Sequence, residues 1–146
     1  MPVLSALCRY SCTVLAFIFL WIVSSAFADD FPGRTVVVDG DTQRVGGSRI
    51  RLRSEQGSID ALELPSAKCP LELFRAKAAR ERLATIIRSA GDDFSIDRRG
   101  RDRYGRTVAV VYAVGENVGE RLVRENQALP WPKLSRADRP ELCGAR

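Results

Sequence analysis

Residues 43–52 constrain the fold more than any other stretch of this chain. Gln43 to Val45 and Ser48 to Leu52 flank Gly46-Gly47, the pattern of a β-hairpin closed on a two-glycine turn. In the second arm Ile50 and Leu52 fall on one face, and Arg49, Arg51 and Arg53 fall on the other, because successive strand side chains alternate. Period two alone therefore demands a sheet with a core beneath it and a row of guanidiniums above.

The neighbouring segments extend that sheet and cover it. Thr35-Val36-Val37-Val38 is a β-branched run ending at Asp39-Gly40-Asp41-Thr42, a strand followed by a turn. Residues 53–68 read as a loop rich in Ser, Gly and Pro. Pro70 suits the first turn of a helix, and Ala76, Ala79, Leu83, Ile86 and Ile87 form one helical stripe with Lys77, Arg80, Glu81 and Arg88 elsewhere. Phe94 and Ile96 indicate a strand, and residues 107–114 a longer one with alternating Val108, Val110 and Tyr112. Asn117 and Glu120 have capping-box spacing for a helix through Glu125, and Asn126 stands where a left-handed terminator is expected. The order β-β-β-α-β-β-α, with strands this short, predicts a mixed α/β, mainly β fold. A five-stranded Greek-key barrel of the OB type with two to three packed helices accommodates it.

The ends of the chain read differently from its middle. Arg9 is the only charge ahead of the apolar run at residues 12–23, and Ser24-Ser25-Ala26-Phe27-Ala28 follows with an A-x-A site before Asp29. This is the three-part pattern of a secretory signal peptide. The other reading is a retained anchor, for which the run falls short of the ~18–20 residues a span needs. Residues 1–28 are thus expected to be removed, leaving residues 29–146 as one domain without stable membrane association. Cys8 and Cys12 leave with the signal, and the exported chain keeps Cys69 and Cys143. Two thiols in an oxidising compartment favour one disulfide over two free thiols. Closing so long a loop contributes roughly 4.5 kcal/mol on the chain-entropy model.

Composition narrows the chemistry. The chain of 146 residues carries no histidine. That excludes a Ser-His-Asp triad, a Cys-His pair and an HExxH zinc site, leaving carboxylates, arginines, tyrosines and thiols. A net charge of +5, from 23 Lys+Arg against 18 Asp+Glu, leans toward anionic partners. Three patches remain. Asp39-Gly40-Asp41 ends a strand, Asp60 and Glu63 lie in the following loop, and residues 98–106 hold five arginines around Tyr104. Singly, each reads as a turn, a solvated loop or a charged face. Together they offer oxygen donors for a hard cation in Asp41, Asp60 and Glu63. Arg51 and Arg106 are placed to neutralise charge growing on a phosphoryl centre. Without histidine, a glutamate is the natural base for activating water.

The ordered set Val38-Asp39-Gly40-Asp41-Thr42, Arg49-Ile50-Arg51-Leu52, Ile59-Asp60-Ala61-Leu62-Glu63 and Asp102-Arg103-Tyr104-Gly105-Arg106, with Val118-Gly119-Glu120-Arg121-Leu122-Val123 after it, resembles the staphylococcal nuclease (thermonuclease) family. The resemblance covers about residues 34–131. It implies the OB-fold barrel with packed helices and Ca²⁺-dependent cleavage of DNA and RNA phosphodiesters, leaving 3′-phosphate ends. By the same resemblance Asp41 and Asp60 are the calcium carboxylates and the carbonyl of Ala61 is the backbone ligand. Glu63 resembles the proposed general base, Arg51 and Arg106 the pair that grips the phosphate, and Arg103 and Tyr104 the nucleotide-contacting pair. Cys69-Pro70 and Cys143 are similar to cysteines of exported bacterial members.

The chain also departs from the pattern. It is longer between Arg51 and Asp60, through residues 53–58, which makes Arg53 a same-face competitor for the role of Arg51. Leu62 stands where the family usually has proline, and the type member's terminal helix is largely absent after Trp131, which is left to do some of the stacking. The expectation is a secreted or periplasmic, monomeric, Ca²⁺-dependent nuclease of low sequence preference. The alternative from another class is a non-catalytic OB-fold module that binds nucleic acid through its arginines.

Overall fold

The computed structural model describes residues 35–131 and Cys143; the expected signal peptide lies outside them. Three strands open the chain as a meander, β1 (Thr35–Asp39), β2 (Thr42–Val45) and β3 (Ser48–Arg53). Gly46 and Gly47 have φ of 55° and 86°, the doubly positive pair that a right-twisted hairpin requires. Val45 faces Ser48 across that turn, so the expected alternation holds: Ile50 and Leu52 are fully buried, and the arginines stand on the other face.

Helix α1 (Pro70–Ala90) follows a two-residue strand β4 (Ile59–Asp60) and a short 3₁₀ turn (Leu64–Ser66). Its stripe of Ala76, Ala79, Leu83, Ile86, Ile87 and Ala90 is buried in the main core. Burying one such leucine or isoleucine contributes roughly 1.5–3 kcal/mol. The alanines matter for approach rather than area. A Cβ at Gly40 would stand 2.6 Å from Ala79 Cβ and 2.9 Å from Ala61 Cβ. The glycine between Asp39 and Asp41 thus lets the β1–β2 turn lie directly on the helix.

The second half supplies β5 (Phe94–Arg101), β6 (Thr107–Ala113), β7 (Glu116–Asn117), α2 (Val118–Arg124) and β8 (Leu129–Pro130). The main sheet runs β1-β2-β3-β6-β5, antiparallel except for the parallel β3–β6 pair. This is the order and polarity of the OB fold, mixed α/β and mainly β. Among the described residues no ladder joins β5 to β1. Asn117 accepts the Glu120 N–H at 3.0 Å as the cap of α2, and Asn126 has φ of 56°, as its position after the helix predicts.

Two local readings change. The strand expected at Phe94 and Ile96 extends into the arginine run, because Arg98, Arg99 and Arg101 belong to β5, whose ladder to β6 shifts between Arg98 and Gly100. Residues 53–68 are not all loop either. Arg53 bridges to Ser58, and Ser54 N–H donates to Gly57 O at 2.9 Å. The extra residues therefore close on themselves and return the chain as β4. Ile59 and Asp60 then pair with Pro130 and Leu129 of β8. Cys69, the N-cap of α1, is disulfide-bonded to Cys143, with 5.7 Å between their Cα atoms. No helix among the described residues is long and apolar enough to cross a membrane.

Candidate active site

The acids and arginines meet where β3 runs parallel beside β6. Register places Ile50 opposite Thr107 and Arg51 opposite Val108, so the residues just before Thr107 flank the guanidinium row of β3. Arg51 is the centre of the inner group. Its Nη2 lies 3.2 Å from Asp41 Oδ2 and 2.9 Å from Asp60 Oδ1, and it donates to the Ile59 carbonyl at 3.2 Å. Arg53 turns away: its Nε donates to Ser54 O at 3.0 Å and its Nη2 reaches Glu55 O. The closed loop thus engages Arg53 in its own turn, while Arg51 on the same face meets Asp41 and Asp60.

Asp41 is only 1% exposed. Burial pushes its carboxyl up, an effect that the Arg51 charge and the hydrogen bonds from Thr42 Oγ1 and the Ala61 N–H offset only in part. A buried carboxylate in that condition gains from any added positive charge. Asp41, Asp60 and the carbonyl of Ala61 are all hard oxygen donors, the chemistry Ca²⁺ selects, and two of them already share one guanidinium nitrogen. The donor set therefore fits a calcium ion. No group of three or more acidic or thiol side chains gathers at one point among the described residues, so Glu63 is not part of such a cluster.

Glu63 instead faces a second group. It lines a cleft of about 560 Å³ together with Arg49, Tyr104, Gly105 and Arg106. Arg106 is oriented by Asp102, whose Oδ2 accepts its Nε at 2.6 Å. The other oxygen, Oδ1, accepts the Tyr104 and Arg106 N–H groups at 2.9 and 3.0 Å. Burial pushes the Asp102 carboxyl up, but these hydrogen bonds and the Arg106 charge outweigh it and hold it below the usual carboxylate range. Tyr104 is 67% exposed. The Arg103 and Arg106 guanidiniums lie 4.8 and 5.3 Å from its ring centroid, within cation–π range. Gly105 has φ of 75°, a turn that brings Tyr104 and Arg106 to the same side.

The geometry thus brings together, in two adjoining groups, the residues singled out from the sequence. One is Asp41, Asp60, Ala61 and Arg51; the other is Glu63, Arg103, Tyr104 and Arg106. Two further residues of the quoted motifs, given no role of their own there, stand beside these groups. Arg49 lines the cleft, and the signal for it was present, since it lies two residues before Arg51 on the same face. Asp39 accepts the Leu64 N–H, a contact between positions 25 residues apart that no local pattern announces.

The model of a family described as staphylococcal nuclease homologue matches residues 49–141, which contain Arg51, Asp60, Glu63 and the 102–106 turn. The chain belongs to the staphylococcal nuclease homologue family. An "Uncharacterized endonuclease" of Escherichia coli O157:H7 is 35% identical over 117 residues, covering 79% of this chain and 69% of that protein. A "Micrococcal nuclease" of Shigella flexneri is 38% identical over 93 residues, 63% of this chain and 48% of that protein. Membership in the family and these relatives support a hydrolytic nuclease.

Proposed function

We propose that this member of the staphylococcal nuclease homologue family is an exported, Ca²⁺-dependent nuclease that cleaves DNA and RNA phosphodiesters with little sequence preference. The observation that carries the reading is the cleft that Glu63 shares with Arg106 and Tyr104, beside the Asp41–Arg51–Asp60 group. Asp41, Asp60 and the Ala61 carbonyl would hold the calcium ion. Bound there, the ion would act as a Lewis acid toward a phosphoryl oxygen.

The remaining roles belong to the chain. Glu63 takes a proton from the attacking water, the task of a positioned carboxylate in a protein without imidazole. Arg106, held by Asp102, donates to the phosphoryl oxygens as charge accumulates on them. Arg51 does the same from the other side. Tyr104 offers an exposed ring for stacking a base or sugar, with Arg103 beside it on the backbone. Attack of the water oxygen at phosphorus breaks the P–O5′ bond, leaving a 3′-phosphate end and a 5′-hydroxyl that takes its proton from solvent. The Cys69–Cys143 bridge supports export, since such bonds persist in oxidising compartments.

The test is incubation of the purified chain, freed of residues 1–28, with plasmid and RNA in millimolar calcium and in chelator, beside Glu63→Ala. Cleavage of both substrates with calcium, its loss with chelator and retention of weak binding is the expected result. Equal hydrolysis with and without chelator would overturn calcium dependence. Binding without hydrolysis in any condition would hand the chain to the non-catalytic module.

A further inference from the structure

Two acidic side chains of one turn meet one loop at its two ends. Asp41 Oδ2 accepts the Ala61 N–H at 3.3 Å, and Asp39 Oδ1 accepts the Leu64 N–H at 3.3 Å. Between those amides stand Leu62 and Glu63, and Glu63 is the carboxylate that lines the cleft.

The turn that carries the two acceptors has little freedom to move. Its glycine lies so close to Ala79 and Ala61 that a Cβ would meet their Cβ atoms at 2.6 and 2.9 Å. Asp39 itself sits where the β1–β2 register shifts, between Val37 and Asp39. By contrast the segment being held has weak local structure. Glu63 heads a three-residue 3₁₀ turn and makes no side-chain cap hydrogen bond. Inside that turn its carbonyl accepts from Ser66 N and Oγ at 3.3 and 3.4 Å. Leu62, unlike a proline, leaves its φ unlocked. A flexible segment between two fixed points takes its geometry from those points.

We propose that Asp39 is a positioning residue for the reaction: its carboxylate fixes the backbone at Leu64 and thereby aims Glu63 into the cleft. This rests on the reading of Glu63 as the base. Asp41 anchors the upstream end of the segment and Asp39 the downstream end. Asp39 acts by accepting a hydrogen bond, so an uncharged acceptor of the same shape serves as well. Loss of the acceptor lets the Glu63 carboxylate drift, and a displacement near 1 Å costs on the order of 10²-fold in rate.

The experiment compares Asp39→Ala, Asp39→Asn, Glu63→Ala and the double variant Asp39→Ala/Glu63→Ala in the full exported chain. It uses saturating calcium and checks for native melting. Asp39→Ala should lower kcat by about 10–100-fold with little change in KM, and Asp39→Asn should restore most of it. The double variant should be no slower than Glu63→Ala, since a residue acting through another adds nothing once that other is gone. Amide exchange at Leu64, read in the calcium-free protein, should quicken in Asp39→Ala and stay slow in Asp39→Asn.

An Asn variant as slow as the Ala variant would show that charge and not the hydrogen bond matters, and would overturn the proposal. Multiplying defects in the double variant, or unchanged Leu64 exchange, would overturn it too. Full turnover by Glu63→Ala beside quickened Leu64 exchange in Asp39→Ala would sink the base assignment while leaving the anchoring role of Asp39 supported.

Discussion

The protein carries arginine in two neighbouring regions built on opposite plans. Around β3 and the 102–106 turn, Arg51 and Arg106 are mostly buried and tied to fixed carboxylates, Asp41 and Asp60 in one case and Asp102 in the other. Along β5, Arg98, Arg99 and Arg101 are exposed at the edge of the sheet. A guanidinium held by an aspartate has its donor direction set before any ligand arrives, which is what stabilising a transition state requires. A guanidinium in open solvent contributes long-range attraction that salt screens. The same residue type is thus fixed by carboxylates in one place and set out toward solvent in the other.

The sharpest way to break this contrast is Arg106→Ala. Removing one preorganised donor of this kind lowers kcat by about 10²–10³-fold, with a modest change in DNA affinity, and Arg51→Ala should behave alike. Steady-state kinetics beside equilibrium binding measures both. A pure affinity loss at either position would erase the distinction between the regions.

Next in size is Arg101→Ala, which removes an exposed charge from β5. It should weaken DNA binding, leave turnover at saturation unchanged and flatten the log–log salt dependence by about one unit. Titrations across a range of salt concentrations read the slope directly.

Arg99 sharpens the comparison within β5 itself. It lies 3.2 Å from Glu55 Oε2 and 2.7 Å from Asp97 Oδ2, so its charge is already matched. Glu55 also accepts from Tyr112 Oη, which ties the tip of the inserted loop to β6. As one arginine of the 98–106 run, Arg99 would be expected to attract a phosphate backbone like its neighbours; these pairs lower that expectation. Arg99→Ala should change binding and its salt slope less than Arg101→Ala. An equal effect would mean that solvent has already dissolved the pairs with Glu55 and Asp97.

The smallest effect concerns a third arginine group, which joins the two helices. Arg82 donates to both oxygens of Glu125, and Arg121 Nε lies 3.1 Å from Oε1. These hydrogen bonds, Arg82 foremost, hold the Glu125 carboxyl down at about 2. A folded value below the unfolded one stabilises the native state at pH values above the unfolded pKa near 4.5. That contribution is lost as pH falls from there toward about 2. Melting temperature should decline over that window, and Glu125→Gln should lie below wild type at neutral pH and converge with it in acid.

Much of this was legible before any coordinates. The Gly46-Gly47 hairpin, the alanine-rich stripe of α1, the Asn117 cap and the left-handed Asn126 each express a local rule. So does the placing of Arg51 on the polar face of β3. The Asp-Arg-Tyr-Gly-Arg turn is equally local, since Asp102 and Arg106 meet across four residues.

What the chain order could not announce depends on which strands pair. Arg51 and Arg53 share a face, and only the self-closing of residues 54–57 engages one and leaves the other to Asp41 and Asp60. Glu55 finds Tyr112 across a separation of 57 residues, and Asp39 finds Leu64 because Gly40 seats their turn against α1. Local rules were enough to set the elements and the kinds of side chain at the site, because backbone hydrogen bonding and side-chain period act over a few residues. Which acid holds which amide, and which arginine meets Asp41 and Asp60, follows from packing between segments far apart in the chain.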